Sequence, residues 1–154
     1  MDLSERAAGM DAEHLVFGGV FAVANRLQRT LDAAMPELTA KQWWLLVMLQ
    51  TSPGPPTLTE LAEAADTSHQ NVRQILDRLE AKGFVRLAPD EEDARATRIH
   101  VTAKARRWGA DTDAEARRFM AAMYRGLTPT ELDALGKGLA LLHSNLSRLD
   151  GPSA

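Results

Sequence analysis

The stretch TLTELAEAADTSHQNVRQILDRLEAK, residues 57–82, contains two amphipathic helical patterns joined by a tight turn. Thr57 and Glu60 open the first pattern with capping-box spacing, in which each side chain satisfies a backbone N–H of the other. The turn falls at residues 65–67, and a longer helical pattern follows it. A short helix, a tight turn and a longer helix are typical of a helix-turn-helix motif, so this segment predicts one.

The second helix of this motif has two faces that differ in chemistry. Its apolar residues recur at i, i+3, i+4 and i+7 and should face the core; they are Val72, Ile75, Leu76 and Leu79. At about 100° per residue, the opposite face carries Gln70, Arg73, Gln74 and Asp77, with Asn71 and Arg78 on one flank. Amides can bond an adenine edge and arginine a guanine edge, and a helix N-terminus favours phosphate. We therefore interpret this face as a DNA-recognition surface, although Asp77 opposes that interpretation and a merely solvated face is the alternative.

Residues 83–102 change from helical to alternating periodicity, which predicts a β-hairpin with a polar, proline-led loop at 89–94. A hairpin directly after a helix-turn-helix is a winged arrangement. An arginine on such a wing can enter a narrow minor groove, where the potential is most negative. Arg95 and Arg98 are the candidates for this role. The neighbouring acids Glu91 to Asp93 oppose DNA unless they hold arginine side chains or lie away from the line of DNA contact.

Helix start and stop signals organise the rest of the chain. Three further pairs have capping-box spacing; they are Thr39–Gln42, Thr67–Gln70 and Thr128–Glu131. The Ser-Pro-Gly-Pro-Pro run at 52–56 cannot continue a helix, and Gly83 followed by Phe84 predicts a left-handed helix cap. With the apolar periodicity, these signals predict a mainly α fold with helices at 12–34, 39–50, 58–65, 68–82, 103–125 and 129–149.

Composition narrows the class of protein. The chain has 154 residues and a formal net charge of −3, which suits one compact domain or two small connected ones. The charge is uneven, because residues 68–107 hold nine basic against six acidic residues. Such a local basic excess fits a polyanionic partner such as DNA.

Several classes of site and location are excluded or disfavoured. The chain has no cysteine, which excludes disulfides and thiolate metal ligands. Its longest apolar run is far shorter than the roughly 20 residues of a membrane span, and its acidic first residues do not resemble a secretory signal. Phosphate loops, zinc motifs and nucleophile elbows do not occur. We therefore expect a soluble cytoplasmic protein that is not an enzyme, with no cofactor, no metal and no membrane partner.

From Leu38 to Thr102 the chain resembles the MarR family of winged helix-turn-helix transcriptional regulators, and its flanking helices extend the resemblance to nearly full length. The matching pieces are Leu38-Thr-x-x-Gln-Trp-x-x-Leu46, Leu58-Thr-x-x-Leu-Ala62, Val72-Arg-x-x-x-Asp-Arg-Leu-Glu-x-x-Gly-Phe-Val85, Asp90-x-x-Asp-Ala-Arg95 and Val101-Thr102. Two positions depart from the family pattern, Ala105 where glycine is usual and Val101 where leucine is usual.

The resemblance assigns roles to particular residues. It implies that Asp93 and Arg95 form the family's Asp-x-Arg wing signature, with Arg95 in the minor groove and Asp93 positioning arginine. It also implies that the run Ser68 to Gln74, which includes His69, begins the recognition helix. The partner would then be double-stranded DNA.

The last predicted helix carries a leucine seam. Its leucines are spaced alternately three and four residues apart, as in a heptad repeat; they are Leu132, Leu135, Leu139, Leu142, Leu146 and Leu149. We expect this seam to be buried in a homodimer, with packing on helix 103–125 as the alternative. A two-fold dimer presents two recognition helices to an inverted-repeat operator. The expected organisation is a helical dimerisation region at 1–36 and 103–154 and a winged helix-turn-helix domain at 37–102.

Aromatic residues suggest a place for a regulatory ligand. Regulators similar to this chain often hold a small aromatic or phenolic effector between the dimerisation helices and the DNA-binding domain. The candidate residues are His14, Phe17, Phe21, Trp43 and Trp44. Trp43 and Trp44 are adjacent on a helix and cannot both face one core, so one of them can line a cavity. Ordinary packing of these aromatics is the alternative.

We thus expect a repressor of its own or adjacent genes that an effector releases from DNA through coupling between two sites. Two other functions stay open. One is a winged-helix module that contacts a protein through the same face. The other is a metal-responsive regulator that uses His14, His143 and nearby carboxylates.

Overall fold

The computed structural model describes residues 9–90 and 96–149 of the chain. The described residues form α1 (Ala12–Ala34), α2 (Ala40–Thr51), α3 (Leu58–Ala64), α4 (His69–Ala81), β1 (Val85–Pro89), β2 (Thr97–Val101), α5 (Ala103–Met123) and α6 (Pro129–Leu149). The predicted mainly α winged helix-turn-helix is confirmed, and each helix boundary lies within two residues of its predicted position.

Capping boxes begin three of the helices, as predicted. At α2, Thr39 Oγ1 accepts the Gln42 N–H at 3.3 Å, and the Thr39 N–H donates to Gln42 Oε1 at 3.2 Å. Thr57 and Glu60 form the same reciprocal pair at α3. At α6, the Thr128 N–H donates to a Glu131 carboxylate oxygen at 2.7 Å. These contacts satisfy backbone N–H groups that the first helical turn leaves without partners.

The predicted capping box at Thr67 and Gln70 is wrong. The N-cap of α4 is Ser68, whose hydroxyl accepts the Asn71 N–H at 3.2 Å. Thr67 instead belongs to the turn, where its N–H donates to Ala62 O at 3.1 Å. This bond requires the preceding Asp66 to adopt a positive φ of 48°, so the chain cannot enter helical geometry until one residue later.

The hairpin follows α4 through the predicted left-handed cap. Gly83 has a φ of 74°, its N–H donates to Glu80 O at 2.8 Å, and the Phe84 N–H donates to Leu79 O at 2.9 Å. Together these bonds make a Schellman motif. The strands then pair antiparallel, from Val85 opposite Val101 to Pro89 opposite Thr97.

The core lies between the helix-turn-helix and the hairpin. All four predicted inward-facing residues of α4 are buried, with Val72, Leu76 and Leu79 at 0% exposure and Ile75 at 9%. Phe84 and Ile99 of the hairpin are buried with them, as are residues of α2 and α3. The fold therefore fixes one face of α4 by apolar packing and leaves the other face to solvent.

The chain divides into two compact units, the first ending at Arg107 and the second beginning at Trp108. The first unit contains α1 to α4, the hairpin and the first turn of α5. The second contains the rest of α5 and all of α6. No described residue of this second unit is buried in the single chain. The expected grouping of residues 1–36 with 103–154 stays a prediction. None of the described helices is long and apolar enough to span a membrane.

Candidate nucleic-acid interface

The N-terminal half of α4 presents polar side chains around a capped helix end. Ser68, His69 and Gln70 are exposed, and the Ser68 hydroxyl is engaged as the cap. Asn71 is half-buried, and its Nδ2 donates to Thr67 Oγ1 at 2.8 Å, which turns this amide towards the interhelical turn. An exposed helix N-terminus with polar side chains and partial positive charge is suited to an anionic ligand.

Arg73 and Asp77 form an ion pair on the exposed face of α4. Arg73 Nε lies 2.9 Å from Asp77 Oδ1, and the two side chains are 52% and 53% exposed. Asp77, the acid whose charge opposes DNA binding, therefore has a basic partner one turn away. The contact orients the Arg73 side chain along the helix. An exposed pair of this kind adds little stability, so the guanidinium can exchange it for another anion at small cost. Gln74 and Arg78 are also exposed.

The C-terminal end of α4 is tied to the start of α2 by Lys82. Its Nζ donates to Glu37 O and, at 3.0 Å, to Oε1 of Gln42, whose side chain is buried. Lys104 Nζ in turn donates to Lys82 O at 2.7 Å and lies 5.1 Å from the centre of the Phe84 ring. Sequence reasoning missed this link, because it assigned Gln42 only to a capping box. These bonds join the end of α4 to the start of α2 and to the beginning of α5.

The base of the wing is closed by backbone and side-chain contacts. The Asp90 N–H donates to Ala96 O at 3.0 Å, which joins the two ends of the loop. The Ile99 N–H donates to Pro56 O at 2.9 Å, so the segment before α3 lies along the free edge of β2. Asp93 and Arg95, the predicted wing-signature residues, lie outside the described residues.

Arg98 is bound at the base of the wing. Its Nε donates to Asp90 Oδ2, and its Nη1 donates to Pro55 O at 3.1 Å and lies 3.5 Å from Glu60 Oε2. Donation from the Thr57 N–H and hydroxyl to Glu60, helped by the positive charge of Arg98, lowers the pKa of that carboxyl below its ordinary value. The sequence-based prediction made Arg98 a DNA contact, whereas the structure gives its guanidinium protein partners.

The recognition helix and the wing flank one groove of about 400 Å³. Its lining residues come from α3, α4 and both strands; they are Thr57, Leu58, Thr59, Arg73, Leu76, Leu87, Ala96, Thr97 and Ile99. Among the described lining residues, Arg73 is the one that carries a positive charge. The structure therefore brings Arg73 and the hairpin to the same side of the first unit.

The proposed effector residues have different surroundings. His14 Nδ1 lies 2.8 Å from both carboxylate oxygens of Asp11, the N-cap of α1. Phe17 and Phe21 are exposed and contact each other edge to face, with ring centres 5.3 Å apart. The adjacent tryptophans of α2 point in different directions, as expected for neighbouring residues on a helix. Trp43 is half-buried and Trp44 is 54% exposed. A shared ligand site for these residues stays a prediction.

All six leucines of the predicted seam are exposed in the single chain. Their exposure runs from 39% at Leu132 and Leu142 to 78% at Leu149, with Leu135, Leu139 and Leu146 between these values. The seam therefore forms a continuous apolar stripe along α6. Within residues 9–90 and 96–149, no cluster of three or more metal-ligating side chains occurs.

Comparison with known proteins places this geometry among transcriptional regulators. A sequence model described as "MarR family" matches residues 37–96, the segment that contains the helix-turn-helix and β1 and ends just before β2. The uncharacterized HTH-type transcriptional regulator YfiV of Bacillus subtilis is 29% identical over 112 residues. That alignment covers 73% of this chain and 66% of YfiV, just under two thirds of its length.

Solved structures extend the similarity beyond this segment. The transcriptional regulator PA3341 is 30% identical, with a TM-score of 0.70, over 86% of this chain and 98% of that one. The organohalide-sensing regulator RdhR-CbdbA1625, solved with 2,4-dichlorophenol, has a TM-score of 0.80 at 21% identity over 94% of this chain and 87% of its own. FabT of Streptococcus pneumoniae, solved in complex with DNA, has a TM-score of 0.68 at 18% identity over 91% and 100% of the two chains. At these low identities, the similarity to RdhR-CbdbA1625 and to FabT shows a shared fold.

Proposed function

The chain belongs to the MarR family of DNA-binding transcriptional regulators, which are not enzymes, and we propose that it acts in the cytoplasm as a homodimer on an inverted-repeat operator. In this proposal α4 enters the major groove and the hairpin approaches the adjacent minor groove. Each subunit reads one half-site, so the symmetry of the DNA follows from the symmetry of the dimer.

The observation that carries this proposal is the two-faced structure of α4. One face is fully buried and fixed by the core, while the other presents Gln70, Arg73 and Gln74 to solvent. Amides and arginine are the side chains that bond base edges bidentately in the major groove. A rigid helix that exposes these groups has the properties of a recognition element.

We divide the interface residues by role. Those proposed to contact bases or phosphates from α4 and its cap are Ser68, His69, Gln70, Asn71, Arg73, Gln74 and Arg78. On the wing, Arg95 is proposed to enter the minor groove with Asp93 supporting arginine. Arg73 is the strongest of these candidates, because it lines the groove beside the wing and its guanidinium can exchange the exposed pair with Asp77 for a DNA contact at small cost.

The exposed stripe on α6 supports the dimer. Its leucines lie in a heptad pattern and are 39–78% exposed, and a helix with such a stripe needs a partner to bury it. A second copy of the chain supplies an identical stripe. The isologous contact that results has two-fold symmetry, as an inverted repeat requires.

We also propose that the regulator is a repressor released by a small aromatic effector. The RdhR-CbdbA1625 structure contains 2,4-dichlorophenol, which is a ligand of this chemical class. In this chain, Phe17, Phe21 and Trp44 are exposed aromatic side chains that such a ligand could contact. Calorimetry with small phenols tests this part. A heat of binding together with weaker operator affinity supports it, and neither effect at saturating phenol would contradict it.

The main experiment is selection of binding sequences from randomised duplexes by the purified protein. The proposal predicts an inverted repeat. Repeating the selection with Gln70→Ala or Arg73→Ala should change base preference at symmetric positions, with a loss of about 1–3 kcal/mol on the original site. Arg95→Ala should weaken binding.

Arg117→Ala is the matched control for Arg73→Ala. Arg117 also pairs with an acid on its own helix, Asp113, but it lies on α5 outside the proposed interface. This control should leave both affinity and base preference unchanged. Recovery of no consensus from the wild-type protein, or unchanged preference in both α4 variants, would contradict the assignment.

A further inference from the structure

We propose that Arg98 is a positioning residue of the wing, which sets the hairpin against α3 without contacting DNA. This inference rests on the proposed function, because it concerns how the wing is presented to a duplex. It also revises the role that the sequence alone indicated for Arg98.

The contacts of Arg98 join three segments that are distant in sequence. Its Nε donates to Asp90 at the start of the wing loop, and its Nη1 donates to Pro55 O at 3.1 Å in the segment before α3. The same Nη1 lies 3.5 Å from a carboxylate oxygen of Glu60 in the first turn of α3. One guanidinium thus connects the wing to the helix-turn-helix.

The backbone around Arg98 is fixed on both sides. Residue 98 forms an antiparallel bridge with Thr57, and the next residue, Ile99, donates its N–H to Pro56 O at 2.9 Å. On the loop side, the Asp90 N–H donates to Ala96 O at 3.0 Å. The Asp90 carboxylate and backbone therefore act together, one holding Arg98 and the other closing the loop.

The charges of this cluster argue against a phosphate contact. Arg98 brings one positive charge, and Asp90 and Glu60 bring two negative charges, so the three side chains together are net negative. The Asp90 side chain is only 9% exposed, and removing its cation would leave a largely buried carboxylate without that partner. A phosphate that approached Arg98 would also approach this carboxylate, whose negative charge repels it, whereas the Arg73 guanidinium can leave its exposed partner Asp77 at small cost.

Asp90→Asn distinguishes a charge effect from wing positioning, because the two predict opposite changes in DNA affinity. If the cluster acts only through its charge, removing a negative charge strengthens binding to a polyanion. If the cluster positions the wing, the variant weakens binding, because a charged hydrogen bond to Arg98 becomes a neutral one. We expect a loss of about tenfold in operator affinity. Glu63→Gln is the control, since it removes one exposed negative charge from α3 outside this cluster and should leave affinity unchanged or raise it.

Arg98→Gln tests the same point through salt dependence. A residue that contacts phosphate releases counterions, so its loss reduces the slope of log affinity against log salt by about one. A positioning residue lowers affinity at every salt concentration and leaves the slope unchanged. Arg98→Lys should recover little of the affinity, because an ammonium cannot reproduce the forked contacts to Asp90, Pro55 and Glu60.

The experiment is anisotropy titration of a selected duplex by the full chain and each variant over a range of salt, with circular dichroism to show that each variant is folded. Hydrogen exchange of the Ile99 amide, which bonds to Pro56 O, is measured without DNA and should accelerate in Arg98→Gln. Higher affinity of Asp90→Asn, a reduced salt slope for Arg98→Gln, or unchanged Ile99 exchange would each overturn the positioning role. A wild-type chain that binds no duplex would instead overturn the proposed function, whatever the exchange result.

Discussion

Leu146→Ala should weaken the dimer, whereas Leu141→Ala should not. Both leucines are 60% exposed in the single chain and both lie on α6, but only Leu146 belongs to the heptad seam. The two substitutions remove the same apolar area from solvent contact in the monomer. Any difference between them therefore reports which face of α6 is covered by a second chain.

The size of the effect follows from the exposed area. Full burial of a leucine side chain stabilises by roughly 1.5–3 kcal/mol, so burying the exposed 60% of Leu146 contributes about 1–2 kcal/mol per chain. A symmetric dimer contains the contact twice, which gives about 2–4 kcal/mol. At about 1.4 kcal/mol per tenfold change, Leu146→Ala should raise the dimer dissociation constant about 30- to 700-fold.

Analytical ultracentrifugation over a concentration series measures this constant for the wild type and both variants. The seam predicts a dimeric wild type, a large shift for Leu146→Ala and a shift of less than about threefold for Leu141→Ala. Equal shifts in the two variants would refute the seam as the interface, and a monomeric wild type would refute the dimer.

Three further predictions concern the first unit and the cap of α6. Gly83→Ala should destabilise by about 1 kcal/mol in urea unfolding, because its φ of 74° strains any side chain, while Gly54→Ala, whose φ is not positive and whose added Cβ meets open space, should be neutral or mildly stabilising. Gln42→Leu should cost about 0.5–1.5 kcal/mol, since it removes the side-chain acceptor of the Thr39 N–H and one of the two acceptors of Lys82 Nζ, which keeps its bond to Glu37 O; stability equal to the wild type would contradict the link. Donation from the N–H and hydroxyl of the capping threonine lowers the pKa of Glu131 below its ordinary value of 4.5, so the cap contributes fully above that value and less as the pH falls through the folded-state pKa. Thermal melts should therefore show Glu131→Ala destabilised near pH 7 and closer to the wild type near pH 3, and a deficit independent of pH would count against this linkage.

Local signals predicted most of the fold. Helix boundaries follow from capping pairs such as Thr128 with Glu131, which depend on residues three positions apart and need no tertiary information. The one wrong cap, at Thr67, has its cause in the backbone of the neighbouring residue. Asp66 adopts a left-handed conformation that usually needs glycine, and nothing in the local pattern distinguishes this aspartate from one in a helical turn.

The candidate interface was only partly predictable. The exposed face of α4 follows from periodicity, and the buried positions of Val72 and Leu76 confirm it. The role of Arg98 does not follow from periodicity, because its partners Pro55 and Glu60 lie about forty residues earlier in the chain. A basic residue beside a loop has the same sequence pattern whether it contacts DNA or a distant carboxylate, so only the three-dimensional structure separates these roles.

The most direct test of the central claim, that this chain recognises an operator as a dimer, is the stoichiometry and affinity of binding to one duplex. Fluorescence anisotropy with a duplex recovered by selection, against a scrambled duplex of the same composition, should be run at two salt concentrations. We predict two chains per selected duplex, affinity at least about a thousandfold above the scrambled duplex, and steep weakening as salt rises. Equal affinity for the two duplexes, or one chain per duplex at saturation, would contradict the account.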